Sequence, residues 1–245
     1  MIKRTITALM LALVASSTSA SSTVTVFIHG NSEPRTLTGA ERLLDVVGQP
    51  RLATSWWPAA VIGEEQATVT ARRQQQELLA RLAALSSGEE GDAAAAINAL
   101  RQQIQALKVT GRQFVRLDPD VVRVSERGNP PMQGHYSLWV GSQPTQISLF
   151  GLISQPGNRS FVPGRSVASY LEGQRLFSGA DRSYAWVIYP DGRTQKVPVA
   201  YWNKRHVELM PGSIIFVGFA DSLWSRSPET MNADILHTLT QRIPE

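Results

Sequence analysis

The chain has 245 residues, 42% of them hydrophobic and 18% charged, with no cysteine and a formal net charge of +4. That length suits one large domain or two small ones and leaves enough chain to bury a core without disulfides. It excludes a disulfide-stapled scaffold, and so small a charge excludes the long-range field of a nucleic-acid-binding domain.

The first twenty residues have the three-part layout of a secretory signal. Lys3 and Arg4 make a positive start, residues 6–15 an apolar run, and residues 16–20 (SSTSA) a small-residue cleavage site. The apolar run falls short of the roughly twenty residues that a spanning helix needs. No cysteine follows it to carry a lipid. The expectation is a signal peptide over residues 1–20 and a periplasmic mature chain without a transmembrane segment. Cleavage removes Lys3 and Arg4 and halves the formal charge of +4. Most remaining cations are arginines, which suit fixed pairing with carboxylates, phosphates or acidic sugars.

Two stretches further on resemble each other. Residues 36–49 read TLTGAERLLDVVGQ and residues 161–174 read FVPGRSVASYLEGQ, with Gly39 over Gly164, Val46 over Leu171, Gly48 over Gly173 and Gln49 over Gln174. Each follows a β-like run, at 24–28 and at 146–152, and a short second strand. Each then holds a glycine, a two-turn amphipathic helix, and a glycine suited to the left-handed conformation that ends helices. Trp56 and Trp57 follow the first helix, and Pro58 stops it from continuing.

Residues 64–109 break the β rhythm. One helix is expected at 65–85, rich in Ala, Leu, Arg and Gln, and Asp92 is expected to cap a second. Leu78, Leu82 and Leu85 form a stripe on the first; Ile97, Leu100, Ile104 and Leu107 form one on the second. The pair reads as an antiparallel helical hairpin inserted into the first repeat. Strands at 113–117, 121–125 and 136–140 then supply that repeat's missing parts, with Asp118-Pro119-Asp120 as a turn.

The second repeat continues with strands at 184–189, 194–201, 207–209 and 214–217, broken by Pro190-Asp191-Gly192 and Pro211-Gly212 turns. Its order, β-β-α-β-β-β, is that of a β-grasp, a mixed sheet with one helix across it. The fold class is therefore α+β. Two β-grasp domains are expected, at 21–141 with the insert at about 64–109, and at 142–220. An amphipathic helix occupies 221–245, with Ser227 as N-cap and Pro228 in its first turn. Its stripe of Met231, Ile235, Leu239 and Ile243 either lies on its own domain or docks on a partner or membrane surface.

Little in the sequence speaks for catalysis. His29, His135, His206 and His237 are scattered outside any ligand spacing, so no metal is expected. The Gly164-Arg165-Ser166-Val167-Ala168 stretch is a relaxed nucleophile elbow, but it opens a short helix where Ser166 suits an N-cap. No catalytic residue and no cofactor is assigned. Trp56 and Trp57, with Arg112, are candidates for glycan or partner binding, because aromatic faces and guanidinium forks hold sugars together.

Several segments carry a family resemblance: Thr110-Gly111-Arg112 with Leu117-Asp118-Pro119-Asp120, then residues 149–157 (LFGLISQPG), Pro190-Asp191-Gly192 and residues 209–214 (LMPGSI). In their order, and in the place of the hairpin, they resemble the GfcC-like capsule-biosynthesis proteins. The resemblance implies two β-grasp domains similar to the periplasmic domains of Wza-type polysaccharide exporters. It also implies a periplasmic, non-enzymatic accessory role in exopolysaccharide production or export. The implied partners are outer-membrane or periplasmic secretion proteins and the polysaccharide itself. A polysaccharide-modifying enzyme and a structural envelope protein are the alternatives. Arg112 holds the position of a family arginine, expected to pair with Asp118 or Asp120 or to bind an anionic sugar.

Overall fold

The computed structural model describes residues 22–30, 33–220 and 228–244. The expected signal peptide and the expected cap at Ser227 lie outside the described residues.

Alternation sets the first strand. In Ser22–Ile28 (β1) the side chains of Val24 and Val26 are buried, while Thr23, Thr25 and Phe27 turn to the other face. Arg35–Ala40 (β2) pairs antiparallel with it. Leu43–Val47 (α1) buries Leu43, Val46 and Val47, and the Asp45 carboxylate accepts the Arg42 backbone N–H at 2.9 Å to close its first turn. Three strands complete the sheet: Val61–Glu64 (β3), Gly111–Arg112 (β4) and Gly134–Val140 (β5). Their order is β2-β1-β5-β3-β4, with β1 and β5 parallel and the other pairs antiparallel.

Between β3 and β4 lie Glu65–Ser87 (α2) and Gly91–Ala106 (α3). They run antiparallel. Gln75 Nε2 donates to the Ile104 carbonyl at 2.8 Å, and at the opposite end Asn98 Nδ2 donates to Ser86 Oγ at 2.7 Å. Glu90, not Asp92, holds the N-cap position of α3; Asp92 sits inside the first turn, where its charge faces the helix's positive end.

The strands expected at 113–117 and 121–125 do not form. The first is replaced by the two-residue β4 just upstream, and the second by Pro119–Arg123 (α4). Asp118 accepts the Asp120 N–H at 3.0 Å and Pro119 opens the helix, so capping overrides the β preference of Val121 and Val122. The strand expected at 136–140 forms as β5, and β3, which no expectation covered, precedes α2.

The second sheet repeats the first. It consists of Gln146–Gly151 (β6), Gly157–Ser160 (β7), Tyr184–Ile188 (β8), Thr194–Pro198 (β9) and Ile214–Val217 (β10), ordered β7-β6-β10-β8-β9 with β6 and β10 parallel. Val167–Leu171 (α5) stands where α1 stands in the first repeat, and Ser166 caps it by accepting the Ser169 N–H at 3.2 Å. The glycines that end these helices differ: Gly173 is left-handed at φ 80°, whereas Gly48 has φ −75°.

The helical insert belongs to the second core. Leu78, Leu82, Ile97, Leu100 and Ile104 share one buried cluster with Ile147, Leu149, Phe216 and Val217, while the first core is built from Val24, Leu43, Val46, Ile62 and Leu138. Burying each such side chain contributes about 1.5–3 kcal/mol. Gln103 fastens the contact: its Oε1 accepts the Gly151 N–H at 2.9 Å and its Nε2 donates to the Gly151 carbonyl at 3.0 Å.

The terminal helix Pro228–Thr240 (α6) joins the same cluster. Ile235 and Leu239 are 0% exposed and Met231 packs against the core. A docking face made of Met231, Ile235 and Leu239 is therefore corrected to a core-facing stripe. Asn232 anchors the helix, accepting the Phe219 N–H at 2.9 Å and donating to the Phe219 carbonyl at 2.8 Å. Among the described residues no helix is long and apolar enough to cross a membrane.

Candidate functional site

Residues 141–145 cross from β5 to β6 and border a groove of about 980 Å3 between the sheets. Because Val24, Val26, Leu138 and Val140 turn to the first core, Phe27 and Trp139, in register across the parallel pair, turn the other way. Their rings stack at a centroid distance of 5.4 Å with 9° between planes, and both border the groove. At its rim a Cβ on Gly141 would lie 2.7 Å from the His29 Cβ, so glycine lets the two strand ends approach.

The second sheet contributes polar groups. Gln146, Ser148 and Asn158 line the groove, with Ser148 Oγ and Asn158 Oδ1 2.7 Å apart. The segment running from the α3–β4 connection into β4, and the C-terminal segment, bring the cations Lys108, Arg112 and Arg242. These two segments are stitched together: the Ile243 N–H donates to the Lys108 carbonyl at 2.8 Å and the Thr110 N–H to the Gln241 carbonyl at 2.9 Å. No described residue lining the groove is an aspartate or glutamate.

Arg112 is 9% exposed. Its Nη2 donates to the Pro190 carbonyl at 2.6 Å, its Nη1 to the Thr240 carbonyl at 3.4 Å, and its backbone N–H to Gln241 Oε1 at 2.7 Å. The guanidinium carbon lies 5.5 Å from the centre of the Phe114 ring. Burial pushes its pKa down to about 10, with the Asp191 charge opposing, so the group stays protonated at neutral pH.

The expected pairing with Asp118 or Asp120 is not made. Asp118 caps α4, and Asp120 pairs with Arg123 at 3.1 Å, so local partners satisfy both carboxylates. Arg112 instead reaches from β4 to the turn after β8 and to the end of α6. It joins the two halves of the chain. In the same contact Gly192 has φ 89°, and a Cβ there would meet the Phe114 ring at 2.6 Å.

Both halves, and the contact between them, fall within one family. Residues 20–143 match "Capsule biosynthesis GfcC, N-terminal" and residues 155–244 match "Capsule biosynthesis GfcC C-terminal". The chain belongs to the GfcC capsule-biosynthesis family. It is 70% identical over 245 residues to "Uncharacterized protein YjbG" of Escherichia coli (strain K12), with 100% of both chains covered.

Of the residues expected from the sequence of this GfcC-family chain to bind a glycan or partner, Arg112 borders the groove while Trp56 and Trp57 do not; His29 borders it as well. Trp57 is half-buried against the first core, and Trp56 is held by its backbone N–H, which donates to the Gly141 carbonyl at 2.8 Å. Ser166 shares its hydroxyl with Ser169, while His206 lies 3.2 Å from Glu208. No group of three or more His, Asp or Glu side chains suited to a metal occurs among the described residues. Sequence reasoning missed Phe27, Trp139 and Lys108. The two aromatic residues carried a signal, being out of phase with the apolar alternation of their strands. Lys108 carried none, since its place depends on where α3 ends.

Proposed function

We propose that this chain works in the periplasm as a non-enzymatic accessory protein for the production or export of a capsule-like extracellular polysaccharide. It acts by binding the glycan or a protein of the secretion machinery. In this reading residues 1–20 are a cleaved export signal, each sheet with its short helix is a β-grasp module, and α2 and α3 are a helical hairpin inserted in the first. Support for the β-grasp reading comes from the shared strand order, with a parallel central pair flanked by antiparallel strands. Support for the polysaccharide role comes from the family to which both halves belong.

The observation that carries the reading is the makeup of the groove. It offers a stacked aromatic pair, amides and cations, which are groups that bind and orient. Its buried arginine donates to two backbone carbonyls and thereby holds the modules together. The test is a deletion strain complemented with the full chain. The expected result is reduced surface polysaccharide on deletion, restored when the chain is found in the periplasmic fraction. Unchanged polysaccharide refutes the role, and cleavage or remodelling of the polymer by the purified protein refutes the non-enzymatic part.

A further inference from the structure

We infer that the groove between the sheets is the binding site for a segment of acidic polysaccharide, with Phe27 and Trp139 as its apolar wall and Lys108 as its anion contact. The inference rests on the glycan-binding arm of the function proposed above and assigns it a place and a ligand class.

Size comes first. About 980 Å3 lies at the upper end of the roughly 300–1,000 Å3 typical of ligand sites, room for several linked sugars. Chemistry narrows the occupant further. A sugar ring has one face of C–H groups and a rim of hydroxyls, so its site needs an aromatic surface beside planar amides and hydroxyls. The groove places these together: Phe27 and Trp139 come from the first sheet, and Gln146 and Asn158 from the second. Phe27 and Trp139 are left only half-buried by the fold, on the sheet face opposite its own core. Neither belongs to either buried cluster.

Charge decides between a neutral and an acidic glycan. The described lining residues include cations and no carboxylate. Arg112 is already committed to the Pro190 and Thr240 carbonyls, and Arg242 donates to the Gly212 carbonyl at 2.6 Å. Among the described residues Lys108 is held only by its backbone, through its carbonyl to Ile243, which leaves the ammonium to meet a ligand carboxylate.

Calorimetry on the mature protein tests this, using hexagalacturonate and a hyaluronan hexasaccharide as acidic probes and maltohexaose as the neutral one. The expected result is binding of an acidic probe in preference to maltohexaose. Lys108→Gln should weaken acidic binding about tenfold or more, the scale of a charged hydrogen bond. Trp139→Ala should weaken it similarly. Because Trp139→Ala also removes a ring from the sheet, Gln146→Ala, at an exposed position, serves as a second variant with thermal melting as the control for folding.

Failure of both acidic probes, equal affinity for maltohexaose, or unchanged affinity in Lys108→Gln overturns the inference. Complementation separates the two readings. If the deletion strain loses polysaccharide and a folded Lys108→Gln, Gln146→Ala double variant restores it fully, the groove assignment falls and the accessory role stands. If deletion has no effect, the role itself falls.

Discussion

Leu100→Ala tests whether the α2–α3 insert is an appendage of the first sheet or a structural part of the second. Leu100 lies on α3, is 0% exposed, and belongs to the buried cluster containing Ile147, Leu149, Phe216, Ile235 and Leu239. Truncation removes three buried carbons and opens a cavity that the flanking helices and strand β6 can fill only in part. The expected cost is about 3 kcal/mol, within the 2–5 kcal/mol range of such substitutions. For a chain of this size that lowers Tm by roughly 6–12 °C. Native-state hydrogen exchange read by mass spectrometry locates the effect, because amides that open together lose protection together. Protection should fall in β6, β10 and α6 as well as in α2 and α3. If the loss stays within α2 and α3 and the second sheet is unchanged, the insert does not complete the second core and the reasoning is wrong.

Arg112→Met should cost about 2–4 kcal/mol in urea denaturation, because the Pro190 and Thr240 carbonyls lose a charged donor in a buried site. Arg112→Lys should recover little of it, since one ammonium replaces a two-pronged fork. Gly192→Ala should destabilise by about 1 kcal/mol or more, as φ 89° and the Phe114 ring at 2.6 Å both oppose a Cβ. Adding Phe114→Ala should return only the steric part, and thermal melts of the single and double variants measure that difference. Asn232→Ala should cost roughly 1–3 kcal/mol by removing two buried hydrogen bonds that tie α6 to the Phe219 backbone; calorimetric unfolding checks it. Asp234→Asn, which breaks the exposed ion pair with Arg81, should change stability by less than about 1 kcal/mol in the same assay.

Much of the architecture was legible because it is written in short-range patterns. Runs of apolar, aromatic and β-branched residues marked β1, β6 and β8, three-and-four spacing marked α2, α3 and α6, and cap chemistry marked α5. The likeness of residues 36–49 to 161–174 pointed to a repeat, and the two sheets share one strand order. The failures lie where local signals are short or compete. β3 has four residues and β4 two, too few for periodicity to register, and both need neighbouring strands to exist. At 119–123 an aspartate cap and a proline outweighed two valines.

The candidate site was less legible than the fold. Arg112 was singled out, but its expected carboxylate partners were those nearest in sequence, while its acceptors lie on the turn after β8 and at the end of α6. Sequence proximity favours Asp118; the fold had already used that carboxylate to start a helix. Trp56 and Trp57 stood out by being adjacent, whereas Phe27 and Trp139 meet only because β1 and β5 run parallel in register.

The sequence by itself determined which residues are apolar on which face of the longer elements, and it carried the likeness between residues 36–49 and 161–174. An amphipathic stripe states that a surface must be covered, since exposed apolar area costs free energy in water. It does not state what covers it. Only the tertiary structure decided that the stripes of α2, α3 and α6 close over the second sheet, so that a helix suited to docking on a partner became part of the chain's own core. The same packing holds the two sheets in one arrangement and leaves the groove between them, whose walls no single segment contains.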